Sequence, residues 1–498
     1  MPEAQNSELR NTFESMKLGK LLERVNCISI QANPDTEIGS VCYDSRKAEK
    51  NCLFVAVKGL HSDGSRFIPN VMEKGCAVAV CEDLPGCDCP YVLVPDAREA
   101  LAMISCAFYD YPAEKMKIIG ITGTSGKTTS TNLIKHILET HTGKPVGLVG
   151  TNGNMIGREF IHTEYTTPES CELQELFARM VSAGCEYAIM EVSSHSLAMK
   201  RVAGIHYSTA AFTNLSQDHL DFHNTMHEYA SVKRTLFSVC DRACINMDDE
   251  WSMFMLEGIS CPVMKTSATD SSVSLWATNI TAATDGVVFD AVFGSENAEI
   301  CLHIPGMFSV YNALTAVSVC MAEGLSLQEC ADALFSADGV KGRMESVLTD
   351  GDYSVIIDYS HKPDALEKVL KTLRPVTKGR LICLFGCGGD RDRAKRPIMG
   401  RVAAENADIV IVTSDNPRTE DPEAIIAEIL PGLQDLSTQY EVVCDRIKAI
   451  HRAIDMANAG DVILLAGKGH EDYQVIGTVK HHMDEREIVA DYLKIRKP

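Results

Sequence analysis

No uninterrupted apolar run in the 498-residue chain is long enough to cross a bilayer, which removes helical membrane proteins from consideration. The opening segment, MPEAQNSELRNTFESMKLGKLLERV, has no apolar core for export, so a cytoplasmic protein is expected. Positive charge is also short: 47 Lys and Arg against 68 Asp and Glu leave a net charge of −21. That balance argues against a nucleic-acid scaffold or a binder of anionic membranes, although a local loop can still attract phosphate. Repeats of solenoid length and low-complexity tracts are absent, which excludes arrayed architectures. Cysteine is not scarce. Nineteen are scattered along the chain, and the densest group, Cys81, Cys87 and Cys89, does not have the spacing of a zinc knuckle. They read as reduced, small apolar residues of a cytosolic protein.

What is present divides into three blocks, as the length suggests. The first, to about residue 113, carries short apolar runs at 52–57 and 76–81 and an Ala-rich helix near 97–109. Tyr111-Pro112 and the charged residues after it read as a linker. The second block, 114–341, opens with the strand KIIGIT (117–122), a glycine turn and a helix; further strands are expected at 145–150, 187–192 and 209–214. Residues 273–303 read as antiparallel strands and 306–324 as a helix. The third block, 342–498, alternates helices with strands at 354–359, 381–386, 408–414 and 461–467. Such alternation predicts an α/β fold with mainly parallel sheets, whose ligands collect at the carboxyl ends of strands. Two such domains facing one another would enclose a cleft.

The strongest local signal is GITGTSGKTT (120–129). A glycine-rich turn between strand and helix exposes backbone N–H groups, and the helix start favours anions. Gly123, Thr124, Ser125, Gly126, Lys127, Thr128 and Thr129 therefore form a candidate ATP loop, with Lys127 reaching the terminal phosphates and Thr128 holding magnesium. It is a short variant, because Ile121 stands where the usual loop has its first glycine. Glu191, ending the apolar strand YAIMEV, is a candidate magnesium contact. The segment TNLSQDHLDFH (213–223) brings His219 and His223 four residues apart, a spacing that a helix face could turn into a zinc pair; a magnesium-linked histidine and an Asn–Asp turn are favoured there. Lys233, read without precedent, is a solvated lysine on an amphipathic helix.

These elements together resemble the Mur ligase family. The carrying motifs are GTSGKTT (123–129), TTPES (166–170), EVSSH (191–195), TNLSQDHLDFH (213–223), YNA (311–313), GRME (342–345) and DYSHKPDAL (358–366), within a likeness running from DSR (44–46) to GHEDYQ (469–474). The resemblance implies three domains: a UDP-binding α/β domain, a central P-loop ATPase and a C-terminal Rossmann-like domain that carries the amino acid. It implies ATP-dependent joining of an amino acid to a carboxylate through an acyl phosphate, with domain closure bringing the two together. The implied substrate is UDP-N-acetylmuramoyl-L-alanyl-D-glutamate, against Ser45, His61, Thr166, Thr167, Ser193 and Arg201. Asn312, Arg343, Asp358 and His361 would surround the nucleotide. Glu191 and His219 would hold magnesium, beside Lys233 carboxylated by carbon dioxide. A monomer is implied, with no nucleic-acid partner.

SDNPRTEDP (414–422) bears on the amino acid. The planar guanidinium of Arg418 can clamp a carboxylate with two bonds. DNPR resembles the form found in family members that add meso-diaminopimelate, whose far end carries both a carboxylate and an ammonium. Asn416 joins Arg418 in this loop, Glu471 would receive the distal ammonium with the Gly467 carbonyl, and Arg391 would bind the carboxylate at the reacting end. Arg393, Lys395 and Arg396 compete with Arg391 for that role. Rival readings are the same ligase using L-lysine, a folylpolyglutamate synthase, and a non-catalytic nucleotide-binding protein.

Overall fold

The computed structural model describes residues 15–59, 63–163, 165–220, 222–337, 339–347, 349 and 351–496. They fold as two compact units, one of residues 1–266 with 318–325 and the other of 267–317 with 326–498.

Among the described residues the first unit holds two main sheets and a two-stranded one, Met16–Lys17 with Glu37–Ile38. In the smaller main sheet, Tyr91–Leu93, Val78–Cys81, Cys52–Val55 and Ser40–Cys42 lie parallel in that order, with Ser29–Gln31 antiparallel at the edge. The larger runs Glu159–Ile161, Asn154–Ile156, Gly147–Val149, Tyr187–Glu191, Lys117–Thr122, Thr209–Phe212, Ala243–Asn246 and Val263–Ser267. Its first three strands form an antiparallel meander and the rest are parallel. The central strands are mostly apolar and almost wholly buried, as parallel strands covered on both faces are.

The Ala-rich stretch is a helix at Ala97–Phe108, capped by Asp96, whose carboxylate accepts from the N–H groups of Arg98 and Glu99. Its packing explains why the first two blocks share one unit. It lies on the helix Ser170–Ser182, where Ser105 Oγ meets Cys171 Sγ at 3.1 Å. The expected linker is likewise tied down: Pro112 and Ala113 are buried in a 3-10 turn.

In the second unit, Leu275–Ala282, Val287–Phe293 and Glu296–Leu302 form the expected antiparallel ladder. A six-stranded sheet follows in the order Glu345–Val347, Ser354–Asp358, Val462–Ala466, Leu381–Phe385, Ile409–Val412, Gln439–Val442, parallel except for the first edge. The last long strand is inserted between earlier ones, so the strand-end loops of 358, 385, 412 and 466 gather at one end. A hairpin, Tyr473–Ile476 with Val479–His482, was not anticipated; it lacks strong apolar alternation and is largely exposed.

Below those loops Arg446 is fully buried against fully buried Glu485, Nη2 to Oε1 2.8 Å. The same guanidinium donates to the carbonyls of Ala466 (2.8 Å) and Ser414 (3.3 Å), tying two strand ends together. Removing one partner of such a pair leaves an uncompensated charge in the core. We expect Arg446→Met to lower the unfolding free energy of this unit by about 3–5 kcal/mol, read by denaturant unfolding; a loss below about 1 kcal/mol would show the pair to be incidental.

Candidate active site

The phosphate loop follows from its local sequence. Gly126 caps the helix Lys127–Thr142 in a left-handed conformation (φ 84°), and Gly123 has φ 148°, where a Cβ would sit 1.9 Å from Thr213 Oγ1. The neighbouring strand end locks the turn. Asn214 Oδ1 accepts from Ser125 N (3.0 Å), Thr124 N donates to Asn214 O (2.8 Å), and Thr213 Oγ1 donates to Ser125 O (2.7 Å). Lys127 Nζ curls back onto the carbonyls of Gly123 (2.8 Å) and Thr124 (3.0 Å). Thr128 and Thr129 are buried in the first helical turn.

Lys233 overturns its sequence reading. It is 1% exposed, and its Nζ donates to Gly123 O at 2.9 Å, on the inner side of the phosphate loop. Burial, and then the charge of Lys127, hold its pKa well below the ordinary lysine value. The amphipathic pattern failed because the face it predicts as solvated packs against the loop. A neutral amine at neutral pH is the form that carbon dioxide carboxylates.

Glu191, 1% exposed, accepts from Thr151 N (2.9 Å) and Thr151 Oγ1 (3.0 Å). The same region collects the candidate peptide ligands. Thr167 Oγ1 donates to Glu191 O (2.8 Å), Ser193 N donates to Thr167 Oγ1 (3.3 Å), and Thr166 Oγ1 meets Thr151 Oγ1 (3.0 Å). Arg201 donates through Nη1 to Thr167 O (3.1 Å), and its Nε lies 2.6 Å from Glu169, whose carboxyl pKa is raised by burial. Thr151 and Glu169 were not anticipated, since a threonine after a strand and a glutamate after a proline carry no signal of their own.

Residues 213–220 and 222–225 are not helical, so His219 and His223 do not share a helix face. His219 has φ 53°, and only one turn, His223 N to His219 O (2.9 Å), relates the two histidines. Their rings instead surround His195, with centroids 4.9 Å and 5.8 Å away. Among the described residues no group of three His, Cys, Asp or Glu side chains is arranged to hold a metal ion. Thr128 and Glu191 supply hard oxygen donors of the kind magnesium takes, whereas Lys233 fits such a set only once carboxylated. Ser45 lies beside the Asp44–Arg46 pair and accepts from Lys74 through its carbonyl (2.7 Å); His61 lies outside the described residues.

In the second unit Asn312 is buried on the helix Met307–Ala322. Asp358 accepts from Met344 N (2.8 Å) and from the Ser360 hydroxyl. Arg343 lies over the Tyr359 ring (5.1 Å), and its Nε is buried without a partner. His361 donates from Nδ1 to Tyr359 O (2.9 Å), and its pKa is lowered by burial.

Strand-end loops line a cavity of about 550 Å³ that includes His361, Arg391, Lys395, Asp415, Arg418 and Glu471. Arg418 sits in a left-handed conformation (φ 51°), with Nη1 donating to Gly389 O (2.8 Å). The close approach needs glycines: a Cβ on Gly389 would lie 1.9 Å from Pro417 O. Gly467, also on the wall, donates its N–H to Asp358 O (3.0 Å). Of the four competing cations, Arg396 is buried between Glu420 and Glu428, and Arg393 pairs with Glu428. Arg391 and Lys395 are the two that face the cavity. Asp415, inside SDNPRTEDP, and Lys468, directly before GHEDYQ, were overlooked; Asp415 Oδ2 is buried without a partner.

Fold and loop define the class: an α/β protein with a phosphate-loop domain and a Rossmann-like one. Residues 37–109 match the model described as Mur ligase family, catalytic domain; 121–320 match the Mur ligase middle domain; 342–469 match the Mur ligase, glutamate ligase domain. UDP-N-acetylmuramoyl-L-alanyl-D-glutamate--2,6-diaminopimelate ligase 1 of Clostridium acetobutylicum is 45% identical over 483 residues, covering 96% of this chain and 99% of that protein. The ligase of that name from Caldanaerobacter subterraneus is 48% identical over 482 residues, covering 96% and 99%. A solved structure under the same name superposes with a TM-score of 0.74 at 30% identity, covering 97% of this chain and 100% of that one. The chain belongs to the Mur ligase family.

A methyl group at position 123 cannot be accommodated while Thr213 holds Ser125. Gly123→Ala is expected to weaken binding of a fluorescent ATP analogue at least about tenfold while leaving the protein folded. Unchanged affinity in that titration would show that the loop does not need this approach.

Proposed function

We propose that this chain uses ATP to join meso-2,6-diaminopimelate to the D-glutamate carboxylate of UDP-N-acetylmuramoyl-L-alanyl-D-glutamate, in peptidoglycan precursor synthesis. The observation that carries the choice of amino acid is Arg418, fixed by Gly389 O in a cavity that also holds the acids Asp415 and Glu471. A diamino diacid presents the opposite charges. The relatives' names support the same reaction.

The substrate carboxylate attacks the terminal phosphorus of ATP, breaking the bond to ADP, which leaves. The amine of diaminopimelate then displaces inorganic phosphate from the acyl phosphate and loses a proton to form the amide. Lys127, with the N–H groups of the loop and helix start, spreads the charge that develops on the phosphates. Thr166, Thr167, Ser193 and Arg201 orient the peptide end of the nucleotide sugar, with Ser45 and His61 on the uridine side. Asn312, Arg343, Asp358 and His361 serve the nucleotide, and the buried, unpartnered Nε of Arg343 supports a phosphate contact there. Thr128, Glu191, His219 and carboxylated Lys233 would hold magnesium, which when bound neutralises phosphate charge. Carboxylation requires the neutral amine, and the lowered pKa of Lys233 supplies it. Arg391 meets the reacting end's carboxylate; Arg418, Glu471 and Gly467 meet the distal end, with the Asn416 side chain bracing Glu471 from behind. The domains run 1–113, 114–341 and 342–498, and the enzyme works as a cytoplasmic monomer.

Turnover with ATP, magnesium, the nucleotide-sugar dipeptide and meso-diaminopimelate tests the reaction, with L-lysine offered separately. Diaminopimelate alone should be joined. Preference for lysine would keep the ligase and overturn the reading of Arg418, and silence with both would overturn the reaction. Arg418→Ala should lower kcat/KM for diaminopimelate about 10²-fold or more, through loss of a charge-assisted pair.

Carbon dioxide dependence tests Lys233. Buffer stripped of carbon dioxide and bicarbonate should give a slow loss of activity that bicarbonate restores. Because burial holds the Lys233 pKa well below the ordinary lysine value, restoration should need a less alkaline buffer than an ordinary lysine would. Full activity in stripped buffer, with no carboxyl adduct by mass spectrometry, would exclude the modification.

A further inference from the structure

Lys468 lies in the loop after the strand Val462–Ala466 with a relative exposure of 0%. Nothing in the phosphate chemistry uses it. Its Nζ donates to Asn416 Oδ1 (2.9 Å) and to Glu471 Oε2 (2.8 Å). Asn416 Nδ2 closes the triangle by donating to the same Glu471 Oε2 (2.9 Å). Asn416 Oδ1 also accepts from Val475 N (2.9 Å), so both its lone pairs are spent inside the protein. The ammonium joins the two strand-end loops, and Asn416 Oδ1 ties the hairpin to them.

The arrangement fixes what the cavity can offer a ligand. The Asn416 oxygen is unavailable to it. Glu471 has one oxygen committed to the triangle, which leaves Oε1 without a protein donor. Lys468 cancels the charge of Glu471. Asp415, 8% exposed and with Oδ2 unpartnered, lines the same cavity as Arg418. The loops of 413–418 and 467–471 therefore hold two cations, Arg418 and Lys468, and two anions, Asp415 and Glu471. They are neutral as a set, which suits an amino-acid end that is itself neutral, with one ammonium and one carboxylate. An aliphatic ammonium end is cationic and suits a set with one excess negative charge.

Resting on the reaction proposed above, we propose that Lys468 is a positioning residue that sets this charge balance. It holds Asn416 and Glu471 in place and makes the site select the zwitterionic end of a diamino diacid over a simple diamine end.

The test compares diaminopimelate and L-lysine as substrates of the full-length wild-type enzyme, Lys468→Met and the double variant Lys468→Met/Glu471→Gln. Wild-type turnover of diaminopimelate secures the reaction first; its absence overturns that reading and this one with it. Lys468→Met leaves one excess negative charge. It should raise KM for diaminopimelate about tenfold and shift the kcat/KM ratio toward lysine by a similar factor. KM for ATP and for the nucleotide sugar should stay within about twofold of wild type. The double variant restores neutrality and should bring the ratio back toward diaminopimelate. A purely structural role would lower kcat/KM for both amino acids in proportion, leaving the ratio unmoved, and that result overturns the proposal. If Lys468→Met does not accumulate as folded protein, the double variant decides: it should be folded and still prefer diaminopimelate. A double variant that prefers lysine, or that is unfolded as well, overturns the proposal.

Discussion

An ammonium group removed from water needs anionic or hydrogen-bonding partners, and two buried lysines of this protein meet that constraint differently. Lys468 has Glu471 and Asn416 built around it. Among the described residues Lys233 donates to the carbonyl of Gly123 and reaches the hydroxyl of Thr122 and the Tyr229 ring, and burial, then the cation Lys127, lower its pKa. A buried charge without a partner costs several kcal/mol, more than most single contacts contribute. The surroundings of these two lysines are therefore the least negotiable parts of their units. In one the result is a nucleophilic amine beside a phosphate loop, and in the other a rigid polar wall.

Backbone strain gathers at the same places. Non-glycine residues with positive φ include His219, beside the His195 ring, Met344 and Asp390, and Arg418 itself. Each left-handed residue costs roughly 1–2 kcal/mol. The loop around Arg418 is over-determined in return: Arg418 N donates to Val475 O (3.0 Å), Gly477 N to Arg418 O (2.7 Å), and Gln474 Nε2 to Asp415 O (2.6 Å). Three hydrogen bonds from the hairpin, each worth about 1 kcal/mol net, are enough to hold one strained residue in the orientation its guanidinium needs.

Local signals in the sequence carried the scaffold well. Strands such as Lys117–Thr122 and Val462–Ala466 are continuous apolar runs bounded by glycine or a polar residue, and a buried parallel strand has no other way to look. The phosphate loop was legible because only glycine tolerates its turns. What could not be read was long-range pairing. Lys233 looks solvated because amphipathic periodicity marks which face is polar and not what covers it. Glu471 and Asn416 were recognised within their motifs, but Lys468 lies between them in space and not in pattern, so their mutual saturation was invisible. The hairpin at 473–482 is mostly exposed and weakly apolar, and its register comes from the loops it grips.

The internal saturation also sets a scale for selectivity. If Arg418 were fully buried and bare without a carboxylate, a ligand lacking one would be rejected by the cost of an orphaned charge, roughly 10⁴-fold or more. Arg418 is half-buried, however, and already donates to Gly389 O. A ligand with only an ammonium end would therefore leave it with a carbonyl partner and access to solvent, which removes much of that penalty. The remaining discrimination must come from orientation and from charge balance across Asp415, Arg418, Lys468 and Glu471. A wall of internally paired charges discriminates by the geometry it refuses to give up: a ligand that does not match both signs must break an existing pair to bind, and at such buried contacts that costs more than the new contact returns.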